Sequence, residues 1–268
     1  MTLSSAGPAW LFCPADRPER FAKAAAVADV VILDLEDGVA AADRPGAREA
    51  LRANPLEPER TVVRVNPAGT EDQARDLEAL ADTAYTTVML AKTESAAQVS
   101  ALAPRHVVAL LETPRGVVLA TEIAAEQGCV AMMWGAEDLV AAMGGGSSRH
   151  PDGTYRDVAR HARSTVLLAA SAFGRAALDA VYLNIGDLDG LKAEAVDGAA
   201  VGFAATVCIH PTQVAVVRDA YRPDTDKVDW ARRVLAAARS ERGVFAFEGQ
   251  MVDSPVLRHA EAILRRAD

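Results

Sequence analysis

Val130-Ala131-Met132-Met133-Trp134-Gly135-Ala136-Glu137-Asp138-Leu139 sets an apolar run against a glycine and then two carboxylates. Val130 to Trp134 is short for a helix and reads as a strand buried on both faces, the pattern of a parallel sheet. Val107 to Leu111 repeats the arrangement and runs straight into Glu112. In a parallel sheet both acids project from the carboxyl ends of neighbouring strands, the edge at which barrel enzymes carry their chemistry.

Working outward, the same alternation recurs along the chain. Strands are expected at Ala9–Cys13, Val30–Leu35, Thr61–Val65, Thr87–Leu90, Val107–Glu112, Val130–Trp134, Leu178–Leu183 and Ala204–Ile209. Helices are expected between them. One begins at Asp16, a capping type with Pro18 in the first turn, and reaches Val27. Others cover Asp43–Arg52, Thr70–Ala81, Ser95–Ala103, Thr113–Gln127 closed by Gly128, Leu139–Met143, Arg156–Phe173, Leu188–Val201 and Thr212–Ala220. Gly144 to Gly153 is rich in Gly, Ser and charge and reads as a mobile surface loop.

Right-handed crossovers close eight such units into an α/β fold of the TIM (β/α)8 barrel type over residues 1–222. Residues 223–268 are left as a C-terminal helical extension, a lid or an oligomerisation arm. It holds helices at Asp226–Arg242 and from Ser254-Pro255 to Arg266, with no strong period between Gly243 and Asp253.

A chain of 268 residues suits one such barrel. The formal net charge of −9 argues against nucleic acid, which needs clustered Lys and Arg. The three cysteines, Cys13, Cys129 and Cys208, have no metal-ligand spacing and read as buried thiols of a reducing compartment. No signal-peptide pattern or membrane-length apolar run appears, so the expected location is the cytoplasm, without membrane contact.

The strand ends carry Asp34, Glu36 and Asp37; Arg64 and Asn66; Lys92; Glu112; Glu137 and Asp138; and His210. Charge is costly inside a sheet unless paired or ligating, so a ring of it points to a site at one barrel mouth. Glu112 and Asp138 are the expected metal ligands, because two carboxylates with waters and substrate oxygens complete an octahedral Mg2+. The alternative for them is a salt bridge to Arg64 or Lys92. Arg64 is expected to bind a substrate carboxylate with its planar fork, or else to balance Glu36 or Asp37. Glu36 and Asp37 are expected to orient Arg64 or waters around the site. Lys92 is equally an ion-pair partner or a substrate contact. Arg17, Arg20 and Lys23 gather at a helix start, which fits a phosphate as well as it fits a solvated face.

Taken together, Leu11-Phe12-Cys13-Pro14-Ala15, Asp34-Leu35-Glu36-Asp37-Gly38-Val39, Arg64-Val65-Asn66, Leu111-Glu112-Thr113, Trp134 to Leu139, Cys208-Ile209-His210-Pro211 and Gly249 to Pro255 resemble the stand-alone, citrate lyase beta-subunit-like members of the HpcH/HpaI aldolase and citrate lyase superfamily. The resemblance implies Mg2+ on Glu112 and Asp138, with Arg64, Glu112, Gly135, Ala136 and Asp37 as substrate contacts. It also implies coenzyme A thioesters near Arg17, Arg20 and Lys23, and a homotrimer or hexamer. Asp253 matches the lid aspartate that, in related lyases, reaches a neighbouring subunit's site; its alternative role is to cap the helix that follows. Ala91 stands where relatives often carry proline.

The implied reaction is reversible cleavage of a β-hydroxyacyl-coenzyme A, such as the malyl, citramalyl, citryl or hydroxymethylglutaryl thioester. The products are acetyl-coenzyme A and a 2-oxo acid or other carbonyl compound. Arg64 would steady the alkoxide, Glu36 or a water on the metal would take the hydroxyl proton, and Asp253 would protonate the acetyl-coenzyme A enolate. A metal-dependent aldolase on free 2-oxo acids and a non-catalytic subunit of a larger lyase complex are the competing expectations.

Overall fold

Strand β1 (Ala9–Pro14) pairs on one side with β2 (Val30–Asp34) and on the other with β8 (Ala205–Cys208), so the sheet has no free edge. Between them run β3 (Thr61–Val65), β4 (Thr87–Leu90), β5 (His106–Leu111), β6 (Cys129–Trp134) and β7 (Ala176–Asp179), each parallel to its neighbours, in sequence order around a closed barrel. The computed structural model of the chain describes residues 6–241 and 243–267. The expected (β/α)8 architecture is the one observed.

The helices of the barrel are α1 (Phe21–Val27), α2 (Arg44–Ala53), α3 (Glu71–Ala81), α4 (Ala96–Ser100), α5 (Pro114–Val118), α6 (Ala120–Ala125), α7 (Ala136–Ala142), α8 (Asp157–Ala172), α9 (Leu188–Val201) and α10 (Pro211–Tyr221). Several starts follow from side-chain caps. Thr70, Ser95, Thr113 and Asp187 each accept a hydrogen bond from the backbone N–H three residues on, satisfying a donor that the helix cannot use.

Inside the barrel the period of two decides what points inward. Trp10, Val30, Ile32, Val62, Met89, Val108, Leu110, Ala131, Met133, Leu178, Ala205 and Val207 form one buried cluster. One further step of two toward the carboxyl ends reaches Phe12, Asp34, Arg64, Glu112 and Gly135. On β2, β3 and β5 the inward face therefore turns from apolar to charged at its last layer. Phe12 still packs on the apolar cluster and carries the Arg64 guanidinium 4.6 Å above its ring.

Several local expectations are corrected. Strand β7 begins at Ala176 and ends at Asp179, not at Leu178 and Leu183. Its first residues are alanines, which carry little strand signal. The expected helix Thr113–Gln127 is two helices meeting at Leu119, and Gly128 does not cap it, since the chain leaves helix at Glu126 in extended conformation. Asp16 caps nothing; a short 3-10 turn, Pro18–Arg20, opens the segment before α1. The loop Gly144–Gly153 is pinned by a bridge between Arg149 and Tyr155.

The chain divides into two compact units between Val217 and Arg218, inside α10. The second unit has its own small core. Helix α11 (Thr225–Ala237) and helix α12 (Ser254–Ala267) bury Ala231, Val234, Val252, Ala260 and Ile263. The stretch Gly243–Asp253, expected to be irregular, holds a hairpin of β9 (Phe245–Phe247) and β10 (Gln250–Val252). Glu248 and Gly249 both take left-handed φ in its two-residue turn. Helix α11 stops at Ala237, short of the expected Arg242, which lies outside the described residues.

Candidate active site

Asp34 and Arg64 are register partners across β2 and β3, which brings the two side chains together at the barrel mouth. Arg64 donates from Nε to Asp34 Oδ1 at 2.7 Å and from Nη2 to Asp34 Oδ2 at 2.6 Å. The same carboxylate accepts from the backbone N–H of Glu36 at 3.0 Å and of Gly38 at 2.8 Å. Asp34 therefore holds both the guanidinium and the turn that carries Glu36 and Asp37. Arg64 Nη1 lies 3.2 Å from Glu36 Oε2. The fork is clamped to Asp34 through Nε and Nη2, while Nη1 is turned to Glu36. Asp34 was legible as a strand-end acid but not as this anchor, which depends on the β2–β3 register.

Lys92 follows β4 with φ +51°, a left-handed conformation that costs a non-glycine residue energy and is concentrated at functional sites. That turn directs its backbone N–H to Glu112 Oε1 at 3.0 Å. Its ammonium bonds Glu36 Oε1 and Asp37 Oδ2, the latter at 3.0 Å, and lies 3.5 Å from Asp138 Oδ1 and 3.9 Å from Glu112 Oε1. Burial works against its charge, but the surrounding acids dominate and raise its pKa. Lys92 is thus an ion-pair hub. Asp37 reaches Lys92 rather than orienting Arg64 by direct contact.

Glu112 is buried and Asp138 half-exposed. Burial, reinforced by the charge of Asp138, pushes the Glu112 carboxyl up to about 8. Burial also raises Glu36, against the pull of Arg64 and Lys92. Gly135 is required where it stands: a Cβ there would lie 2.8 Å from Glu112 Cβ and 3.0 Å from its Oε2. Ala136 is buried next to it at the start of α7.

Five carboxylates (Asp34, Glu36, Asp37, Glu112 and Asp138) thus face two cations, Arg64 and Lys92. A formal excess of three negative charges at one mouth is what a further cation would relieve. Among the described residues no three His, Cys, Asp or Glu side chains form a metal cluster. The donor set is a pair of hard carboxylate oxygens around a position where an ammonium already sits. That fits Mg2+, which keeps several waters, better than zinc, which takes a closed set of nitrogen and sulfur ligands.

The other expected residues lie as follows. Arg17, Arg20 and Lys23 are exposed on the segment after β1; Arg17 is 3.9 Å from Asp16 and Arg20 3.8 Å from Glu19. Asp253 precedes α12 in the second unit and accepts from Val256 N at 3.3 Å, so it fills the capping role. Asn66 is buried and donates to Leu35 O and Asp76 Oδ2. His210 is engaged with Thr212 beside the start of α10. The three cysteines are buried, and burial raises the Cys13 and Cys129 thiols to about 11. Asp179, at the end of β7, was not anticipated. It accepts from Trp134 Nε1 at 2.7 Å and is bracketed by Arg163. The misplaced strand end hid it.

The family described as HpcH/HpaI aldolase/citrate lyase matches residues 9–211. The chain is 74% identical over 267 residues to a citrate lyase subunit beta-like protein of Mycobacterium tuberculosis, covering 100% of this chain and 98% of that one. It is 31% identical over 266 residues to human mitochondrial citramalyl-CoA lyase, covering 87% and 77%. The crystal structure of CitE from Mycobacterium tuberculosis in complex with magnesium, acetoacetate and coenzyme A superposes with a TM-score of 0.96 at 74% identity, covering 99% of both chains. Among the described residues no helix is long and apolar enough to cross a membrane.

Proposed function

The chain belongs to the HpcH/HpaI aldolase/citrate lyase family, and from that premise we propose that it reversibly cleaves a β-hydroxyacyl-coenzyme A thioester. The products would be acetyl-coenzyme A and a 2-oxo acid or other carbonyl compound, with Mg2+ as cofactor. The protein is a carbon–carbon lyase. One observation carries the finer reading: Glu112 and Asp138, 26 positions apart, flank the same ammonium at the barrel mouth, beside an arginine already anchored by a carboxylate. The magnesium, acetoacetate and coenzyme A bound by the Mycobacterium tuberculosis protein support the same reading.

In this reading Glu112 and Asp138 hold the ion, which when bound acts as a Lewis acid on the substrate's oxygens. Arg64 offers its outer edge to the substrate carboxylate, and Asp34 keeps that edge in place. Gly135 and Ala136 let the substrate approach Glu112, and Asp37 holds Lys92 to one side. Glu36, whose burial raises its affinity for a proton, takes the hydroxyl proton as the carbon–carbon bond breaks. Asp253 of a neighbouring chain in a trimer or hexamer protonates the resulting enolate of acetyl-coenzyme A, and removes the methyl proton in the reverse direction. Arg17, Arg20 and Lys23 lie along the coenzyme A phosphates. The setting is cytoplasmic.

The test is a screen of malyl, citramalyl, citryl and hydroxymethylglutaryl thioesters with Mg2+, following release of acetyl-coenzyme A. At least one thioester is cleaved and the matching free acid is not. Equal turnover of the free acids, or of none of these compounds, overturns the proposal.

A further inference from the structure

Arg149 fastens the loop between α7 and α8 to its surroundings. Arg149 Nη1 donates to Gly153 O at 2.7 Å, and its guanidinium pairs with the Glu194 carboxylate, Nη2 to Oε2 at 3.1 Å. The same plane lies 3.7 Å over the Tyr155 ring and 5.1 Å from the Tyr182 ring. Arg149 thereby ties its own loop to the segment after β7 and to α9. Tyr155 in turn sets an edge against Trp134, the last residue of β6, with centroids 5.1 Å apart.

The neighbour of Arg149 reaches α7. Ser148 is buried; its carbonyl accepts from Arg156 N at 2.8 Å, and its hydroxyl donates to Glu137 Oε1 at 2.6 Å. Glu137 immediately precedes Asp138 on α7, a helix of seven residues. Asp138 is half-exposed and meets Lys92 only at 3.5 Å, a long contact that leaves its aim to the helix beneath it.

We propose that Ser148 and Arg149 form a latch that positions Asp138 through Glu137. Neither residue touches the ion or the substrate. Arg149 immobilises the loop, Ser148 hydrogen-bonds Glu137, and α7 is held at the angle that points Asp138 at Glu112. Outer partners of this kind tune metal affinity by about ten- to a hundredfold. A lysine at position 149 would keep the charge but lose the bidentate fork and the planar stack. This inference rests on the reading that Asp138 helps to hold Mg2+.

The test measures Mg2+ binding by calorimetry on the metal-stripped full chain, with thermal unfolding in parallel, for Ser148→Ala, Arg149→Lys, Arg149→Met and Asp138→Asn. The latch predicts a Kd for Mg2+ raised about tenfold in Ser148→Ala and at least that in Arg149→Met, with Arg149→Lys between wild type and Arg149→Met. The Mg2+ concentration for half-maximal thioester cleavage rises in the same order. Wild-type Mg2+ affinity in both Ser148→Ala and Arg149→Met, with only the unfolding temperature lowered, overturns the latch. Wild-type affinity in Asp138→Asn instead overturns the metal reading beneath it. Should Arg149→Met fail to fold, Ser148→Ala still decides, since it removes one hydroxyl oxygen and leaves the backbone bond to Arg156 in place.

Discussion

Two ionic clusters sit beside β3, and they differ in their balance. On α2 and α3, Arg44 and Arg48 face Asp72 and Asp76, so the charges cancel. Arg48 donates to Asp76 at 2.8 Å and to Asp72 at 2.7 Å, and the far oxygen of Asp76 accepts from Asn66 twice. At the mouth, five carboxylates share Arg64 and Lys92, and Lys92 is held in a left-handed backbone to serve them. A balanced cluster fixes helices to a sheet and needs no visitor. An unbalanced one is tolerated in a fold of marginal stability when something else completes it.

The largest expected effect tests the unbalanced side. Glu112→Gln should lower kcat/KM at least about a thousandfold, about 4 kcal/mol of transition-state stabilisation. The metal-free variant should nevertheless unfold no earlier than wild type. The folded pKa of Glu112 is raised from 4.5 to about 8, so the fold binds more protons than the unfolded chain in that interval and wild type loses stability as pH rises through it. The glutamine escapes that loss, and its relative unfolding temperature should climb between pH 5 and pH 8 in the presence of a chelator. A metal-free Glu112→Gln that melts well below wild type at pH 8 would erase the contrast.

Asp76→Ala tests the balanced side. It strands the Arg48 guanidinium and the Asn66 amide, and breaking such a buried pair costs about 3 kcal/mol. Denaturant unfolding should report that loss, while Mg2+ still binds. Next in size, Asp34→Asn frees Arg64 from its anchor. KM should rise about thirtyfold, about 2 kcal/mol, with a smaller change in kcat. A fall in kcat alone would place Asp34 elsewhere in the reaction. The smallest effect belongs to Asp72, which is partly solvated. Its hydrogen bond from Arg48 leads the effects that lower its pKa below 3.8, so its contribution is present at neutral pH and lost as pH falls through the folded value. Asp72→Asn should cost about 0.5 kcal/mol at pH 7, and the gap to wild type should close below about pH 4.

The contrast was only partly written in the order of residues. Eight apolar runs followed by polar residues are enough to recover the barrel, because a buried parallel strand leaves a continuous apolar signature. Glu112 and Asp138 were legible as acids that follow such a run, Glu112 at once and Asp138 after Gly135-Ala136-Glu137. The grip of Asp34 on Arg64 was not, since it depends on which residues of β2 and β3 stand opposite one another. Nor was the hub at Lys92, because its left-handed turn has no glycine to announce it. The start of β7 was lost among Arg175-Ala176-Ala177, and with it Asp179. The hairpin before Asp253 was missed because Glu248, not an asparagine or glycine, takes the first left-handed position. Ser148 and Arg149 lie in a run of glycine and serine whose composition reads as slack; only the tertiary contacts of Arg149 show it fastened.

The excess negative charge at the barrel mouth should accept one divalent cation. Calorimetric titration of the metal-stripped full chain with Mg2+ tests it most directly. Wild type should take up one ion per chain, and neither Glu112→Gln nor Asp138→Asn should bind Mg2+ measurably, each with its fold intact. A wild type that takes up no Mg2+, or variants that bind it as wild type does, would contradict it.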